Sequence, residues 1–193
     1  MHCCPLNPSQ DQQTPDLSIP NRFITDHNAS GLSVFNTSIP DALPTQIVGE
    51  RSKFLLGYAT SSIPADFTGQ FDISTYSSFL STPPGVFLPG GTVLRIVDMQ
   101  PGGGGPMHRT HSLDYGVVLD GEIELVLDSL DSRTLKRSDV VVQRGTNHLW
   151  KNKSQTEWAR MLFVTMESKP VEVDGKVLSE TDPLGVESAT PTE

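Results

Sequence analysis

The chain is poor in cysteine: it has only two, Cys3 and Cys4, which are adjacent near the N-terminus. Neighbouring cysteines seldom satisfy disulfide geometry, and two thiols cannot frame a small fold. These residues therefore exclude a disulfide-stapled domain of the kind that secreted proteins use. A reducing compartment fits this pattern.

Long hydrophobic runs are also missing. No stretch reaches the roughly 18 apolar residues that a membrane-spanning helix requires. The N-terminal segment lacks a basic region followed by an apolar core, so the sequence predicts no secretory signal. We expect a cytoplasmic protein without a membrane partner.

Basic residues are scarce relative to acidic ones. The 14 Lys and Arg residues stand against 23 Asp and Glu residues, and the formal net charge is −9. Such a surface would repel a phosphate backbone or an anionic membrane, so a nucleic-acid partner is excluded. The acidic surface is typical of a soluble protein, and we expect the partner to be a small-molecule substrate.

The length of 193 residues suits one domain with tails. Residues 1–20 are polar and contain four prolines, which predicts a flexible N-terminal arm. Residues 21–178 are predicted to form the folded domain. Residues 179–193 are again polar and are predicted to be a flexible C-terminal tail.

Five short segments rich in β-branched residues follow Thr92, and turn-forming residues separate them. They read TVLRIVDM, DYGVVLDG, EIELVLDS, DVVVQRG and EWARMLFVTME. No long stretch has the 3.6-residue apolar period of a helix, so an all-β sandwich or barrel is predicted. Residues 40–90 are harder to interpret, and the segment DISTYSSFL is compatible with a strand or a short helix.

Side-chain parity places three polar residues together. If the chain is extended from His108, then His108, Thr110 and Asp114 share one face, and His111 points away. A β-bulge between them would reverse this arrangement, because one extra residue re-aims every residue after it.

A second histidine segment lies farther along the chain. His148 and Trp150 share parity there, and a barrel could bring His148 towards His108 and Asp114. Two imidazoles and one carboxylate on neighbouring strands would suit a divalent metal ion.

The spacing around the first histidine resembles the first motif of the cupin superfamily. Gly102 stands six residues before His108, Thr110 falls where a second histidine belongs, and Asp114 falls where a glutamate belongs. Gly121 follows after six further residues, as in the motif.

The second cupin motif is matched in residues 138–152. Gln143, Arg144 and Gly145 replace Pro-x-Gly, and His148 and Asn152 follow at the motif spacing. The resemblance spans Gly90 to Met166. It implies a single-domain jelly-roll β-barrel, with the glycine run before His108 as the loop that enters the first motif strand.

The departures from the motif leave three interpretations open. His108, Asp114 and His148 could bind one divalent metal such as Fe, Zn, Mn or Ni. A bulge could instead bring His111 inward and restore a third histidine ligand. Without a metal, the three side chains would act as acid–base groups in a pocket.

The sequence is similar to small cupins of fungal secondary-metabolite gene clusters, often beside polyketide synthases. This resemblance implies a lyase or isomerase that dehydrates and aromatises, or decarboxylates, a polyketide-derived carbonyl intermediate. His108, Asp114 and His148 would be catalytic, because a neutral imidazole can accept an α-proton and an acid can protonate the leaving hydroxyl. An iron(II) oxygenase and a non-catalytic small-molecule-binding cupin remain alternatives.

Four further side chains are candidates for substrate binding. Arg95 and Arg144 could hold a carboxylate or an enolate oxygen, and Trp150 could form a wall for an aromatic substrate. Thr110 is expected beside the catalytic residues. Barrel edges invite pairing and small cupins often dimerise, so we also expect a homodimer.

Overall fold

The computed structural model describes residues 17–49 and 52–181. The first half contains β1 (Ile24–His27), β2 (Ser33–Asn36), β3 (Thr45–Val48), β4 (Ser52–Thr60), a 3₁₀ turn (Thr68–Gln70) and the helix α1 (Phe71–Ser81). The second half contains β5 (Thr92–Met99), β6 (Ser112–Asp120), β7 (Ile123–Leu127), β8 (Ser132–Leu135), β9 (Val140–Arg144), β10 (His148–Asn152), β11 (Ala159–Glu167), β12 (Glu172–Val173) and β13 (Lys176–Val177).

Two antiparallel sheets form the barrel. The larger sheet has six strands in the order β3-β4-β5-β11-β6-β9, and the smaller has the order β10-β7-β8. Two hairpins, β1-β2 and β12-β13, complete the described chain. The predicted all-β jelly-roll fold is therefore confirmed, with one short helix added.

The core between the two sheets explains why the alternating segments become strands. Every second residue of β11 is buried, and these residues pack against side chains from the smaller sheet. The cluster consists of Met99, Val118, Ile123, Trp150, Ala159, Met161 and Phe163. Met99, Trp150 and Phe163 of this cluster also line a cavity between the sheets.

The ambiguous segment DISTYSSFL is helical and lies within α1. Ile73 and Tyr76 are buried one turn apart and pack on a second core cluster with Leu56 and Val93. The Tyr76 hydroxyl donates a hydrogen bond to the Leu56 carbonyl at 2.9 Å. The helix therefore packs against β4 of the larger sheet.

The predicted arm at 1–20 and tail at 179–193 lie mostly outside the described residues, as do Cys3 and Cys4. The described residues next to both boundaries contact the barrel. Arg160 donates a hydrogen bond to the Ser18 carbonyl at 3.0 Å, and Arg109 and Thr181 exchange backbone hydrogen bonds. The domain boundaries at 20 and 178 stay predictions.

The glycine run before His108 lies along the edge of β10. The Gly105 amide donates to the Trp150 carbonyl at 3.1 Å, and the Asn152 amide donates to the Gly103 carbonyl at 2.8 Å. Gly104 faces β10 so closely that a Cβ atom there would lie 2.6 Å from the Trp150 carbonyl oxygen. The run therefore permits a close backbone approach.

We predict that Gly104→Ala destabilises the fold by about 2 kcal/mol, because the added methyl group must displace a backbone carbonyl. Gly105→Ala is the matched control, since a Cβ atom at Gly105 would have no neighbour within 4 Å. Urea denaturation of both variants measures the difference. Equal free energies of unfolding would contradict this account of the glycine run.

Within the described ranges, no helix is long and apolar enough to cross a membrane.

The homodimer stays a prediction. The outer strands of the larger sheet are β3 and β9, and an outer strand can pair with another chain. Light scattering should give twice the mass of one chain, whereas a monomer at high protein concentration would contradict this expectation.

Candidate active site

A cavity of about 100 Å³ lies between the two sheets. Its walls are largely apolar and are formed by Phe54, Val86, Val97, Met99, Trp150 and Phe163, together with the Gly105 backbone. Its polar side chains are Ser52, Arg95, His108, Thr110, Asp114, His148 and Thr165. A largely apolar cavity with a few converging polar groups is typical of a small-molecule site.

The structure brings six of the seven predicted site residues to this cavity, and Arg144 is the exception. Arg144 is exposed, and the adjacent Gln143 is buried. Alternation along β9 explains the difference, because neighbouring residues of a strand face opposite sides. The expectation that Arg144 contacts a substrate in this cavity is therefore wrong.

His108 and His148 are paired through their backbones. Each donates its amide to the carbonyl of the other at 2.8 Å, and their ring centroids are 4.4 Å apart. This bridge joins the segment after the glycine run to the start of β10. It places both imidazoles at the same point of the cavity wall.

Hydrogen bonds to backbone carbonyls determine the tautomer of both imidazoles. His108 Nδ1 is 3.0 Å from the Pro106 carbonyl oxygen, and His148 Nδ1 is 2.9 Å from that of Thr146. A carbonyl can only accept, so Nδ1 must carry the proton in each ring. In the neutral state each Nε2 therefore has a free lone pair, which can act as a base or as a metal ligand.

His148 is only 1% exposed. Its ring and that of Trp150 are arranged edge to face, with their centroids 5.4 Å apart. Burial, together with the adjacent His108, lowers the pKa of His148 to about 4, against a smaller raising effect of the Thr146 carbonyl. His148 is therefore neutral at physiological pH.

Asp114 projects into the cavity from β6 and is 6% exposed. Its Oδ1 atom is buried and accepts no hydrogen bond. Burial raises the pKa of Asp114 to about 6, against a smaller lowering effect of the Ser112 hydroxyl. A carboxyl group of this kind can carry a proton near neutral pH and release it during a reaction.

Thr110 and His111 lie on opposite faces of their segment, as parity predicts. Thr110 is buried at the cavity, where its hydroxyl is 2.7 Å from that of Ser112. His111 lies outside the cavity, and its Nε2 donates to the Leu178 carbonyl at 3.0 Å. The chain therefore does not recruit His111 as a third inward histidine.

The sequence-based candidates do not include several side chains of the cavity wall, among them Phe54, Phe163 and Thr165. Phe54 comes from β4, and Phe163 and Thr165 come from β11. The alternating pattern of β11 carried the signal for two of them, because Met161, Phe163 and Thr165 are spaced two apart on the buried face.

Comparisons with known proteins agree with this architecture. Residues 95–165 match the family model described as the cupin domain. The chain is 67% identical over 183 residues to phomopsin biosynthesis cluster protein D of Diaporthe leptostromiformis, which covers 95% of this chain and 97% of that protein.

Two further relatives are more distant. Oryzines biosynthesis cluster protein J of Aspergillus oryzae is 40% identical over 169 residues, covering 86% of this chain and 94% of that protein. The cupin-domain-containing oxidoreductase srdB of Neurospora crassa is 35% identical over 172 residues, covering 89% of this chain and 85% of that protein. The chain belongs to the cupin family, and its homologues include proteins of fungal biosynthesis clusters and cupin oxidoreductases.

The cupin motif implies a metal ion, and the donor side chains of the described residues do not meet that requirement. Across residues 17–49 and 52–181, no group of three or more His, Cys, Asp or Glu side chains is arranged to hold an ion. Thr110 replaces one family histidine with a neutral hydroxyl that is engaged with Ser112. His108, Asp114 and His148 therefore do not fit a three-ligand centre for Fe, Zn, Mn or Ni, and no step below involves a metal.

The pKa of Asp114 predicts how its replacement changes stability with pH. Because the folded-state pKa is raised from 3.8 to about 6, ionised Asp114 destabilises the fold by about 3 kcal/mol above pH 6. This penalty declines as the pH falls below 6 and vanishes below 3.8. Asp114→Asn removes it, so the stability gain at pH 7.5 should exceed the gain at pH 4.5 by about 2 kcal/mol.

Urea denaturation in the presence of a chelator measures this difference. Glu157→Gln is the control, since it removes an exposed carboxyl outside the cavity. A gain that does not change with pH would contradict the raised pKa. If Asp114→Asn instead loses more stability at pH 7.5 than at pH 4.5, the ionised carboxylate of Asp114 stabilises the fold.

Proposed function

We propose that this protein is a lyase or isomerase that moves protons on a carbonyl intermediate of fungal secondary metabolism. One observation carries the proposal: two imidazoles with free Nε2 lone pairs and a buried carboxyl of raised pKa face one cavity. The biosynthesis-cluster relatives support the biological setting.

The imidazole pair supplies the base. Their ring centroids are 4.4 Å apart, so two positive charges would repel each other and the pair accepts one proton at a time. His148 is the more deeply buried and stays neutral, which leaves His108 to take the α-proton of a carbonyl compound. The pair thus binds the proton that the reaction releases.

Asp114 supplies the acid. In a dehydration, the bond between the α-carbon and hydrogen breaks, a carbon–carbon double bond forms, and the β-hydroxyl leaves as water after Asp114 protonates it. The proton on His108 then returns to Asp114 through solvent, which restores the starting state. Repeated loss of water from a polyketide-derived chain would lead to an aromatic ring. Decarboxylation would use the same acid to protonate the carbanion that remains after CO₂ leaves.

The descriptions of some relatives favour a second candidate function, that of a cupin oxidoreductase. The protein srdB of Neurospora crassa carries that description at 35% identity. Metal analysis of protein purified without added metal separates the two candidates. We expect far less than one metal ion per chain, whereas near-stoichiometric iron with substrate-dependent oxygen consumption would favour the oxidoreductase.

We predict that His108→Ala or His148→Ala lowers the rate of turnover by roughly 100-fold or more, the scale of a lost general base. His111→Ala is the matched control, because His111 lies outside the cavity and should change the rate far less. Mass spectrometry can follow the loss of water from β-hydroxy-carbonyl compounds, and thermal melting verifies that each variant is folded.

Two results would contradict this assignment. If His111→Ala is as damaging as His148→Ala in a folded protein, His111 is turned inward and a three-histidine metal site replaces the acid–base site. If none of the substitutions changes the turnover of any accepted substrate, the cavity is not catalytic and a small-molecule-binding cupin is the better description.

A further inference from the structure

Arg95 is a buried cation on the wall of the cavity. It lies on β5 and is 5% exposed. Its Nη2 donates to the carbonyls of Pro84 and Gly85 at 3.1 and 3.0 Å, and its guanidinium lies 5.1 Å from the centre of the Phe54 ring. Burial lowers the pKa of Arg95 only to about 10, so the side chain is charged at neutral pH.

No carboxylate of the described chain pairs with this charge. The contrast with Arg160 is informative, because the side chain of that arginine is 12% exposed and its Nε and Nη2 bind both oxygens of Asp98 at 2.6 and 2.7 Å. The fold thus neutralises this partly buried arginine and leaves the more deeply buried Arg95 without an anion. A buried charge without a partner is costly, so its presence at a cavity calls for a ligand that supplies the opposite charge.

The remaining donors of Arg95 suit a carboxylate. Only Nη2 is used by the carbonyls of Pro84 and Gly85, which leaves Nε and Nη1 without an acceptor among the described residues. A guanidinium offers its donors in a planar fork that matches a carboxylate. One cation in a cavity that also contains Asp114 favours a singly charged anion over a phosphate dianion.

The register of the sheet places Arg95 away from the acid–base groups. Arg95 is paired with Phe163 of β11, and Asp114 is paired with Thr165 of the same strand, so the two charges lie on strands that flank β11. Two strand spacings, together with the two-residue offset along β11, put their Cα atoms roughly 12 Å apart. A ligand held at Arg95 would therefore pass over Phe163 before it reaches Asp114.

We propose that Arg95 binds a carboxylate group of the substrate, which makes the substrate class carboxylic acids with an apolar body and a reactive carbonyl group. The proposal rests on the proposed function for the reactive end of the molecule. An ion pair with Arg95 stabilises the carboxylate, so this group is retained during the reaction. Dehydration or isomerisation then fits the site better than loss of this carboxylate as CO₂.

Calorimetric titration tests the proposal without turnover. The probes are acetate, hexanoate and benzoate, each compared with its primary amide, which has a similar shape and no charge. The variants are Arg95→Gln, which removes the charge, and Arg95→Lys, which keeps the charge and loses the fork. Arg144→Gln is the matched control, because Arg144 is an exposed arginine outside the cavity.

We expect at least one carboxylate to bind the unmodified protein at least tenfold more tightly than its amide. Arg95→Gln should abolish this preference, Arg95→Lys should keep part of it, and Arg144→Gln should keep all of it. The ratio of the two affinities is compared within each variant, so an altered stability does not change the conclusion.

Two results would overturn the proposal. One is that no carboxylate binds more tightly than its amide to the unmodified protein. The other is an unchanged preference in Arg95→Gln, which would leave Arg95 as a structural anchor for Pro84 and Gly85. If the preference depends on Arg95 but the histidine variants do not change turnover, the carboxylate site stands and the proposed function fails.

Discussion

The reciprocal backbone bridge between His108 and His148 is the contact on which the site depends. Its two hydrogen bonds of 2.8 Å dock the segment after the glycine run onto β10. Both imidazoles thereby meet at one point of the cavity wall, although 40 positions of sequence separate them. The close approach at Gly104 brings the segment into register for this bridge.

The two imidazoles also share one neutral tautomer. Each ring binds the carbonyl of the residue two positions before it, Pro106 for His108 and Thr146 for His148. Burial then favours the neutral form of His148 and the protonated form of Asp114. The poorly solvated cavity thus places a neutral imidazole beside a carboxyl group whose pKa of about 6 lies close to neutral pH, so that both groups can exchange a proton during a reaction.

Much of this arrangement could be predicted from the sequence, because it follows from alternation along strands. The inward face shared by His108, Thr110 and Asp114 and the outward position of His111 are both as parity predicts. Arg144 is a candidate for its side-chain chemistry alone, and the alternation along β9 places Gln143 rather than Arg144 on the buried face.

Other features depend on tertiary contacts that the spacing of residues in the sequence does not predict. The pairing of Arg95 with backbone carbonyls, and its lack of an anion, depend on how the Pro84–Gly85 loop folds over β5. Strand β8 (Ser132–Leu135) is mostly exposed and has no apolar alternation, so only its pairing with β7 defines it. The helix α1 depends on the burial of Ile73 and Tyr76 against the larger sheet, and the sequence of this segment alone is also compatible with a strand.

Nuclear magnetic resonance of the histidine side-chain nitrogens tests the central claim most directly. Long-range proton–nitrogen correlation spectra distinguish the two neutral tautomers and the charged ring, and His108→Ala and His148→Ala assign the signals. The account predicts that both rings, when neutral, carry the proton on Nδ1, and that His148 stays neutral down to about pH 4. A proton on Nε2 of His148, or a titration of His148 near 6.5, would contradict it.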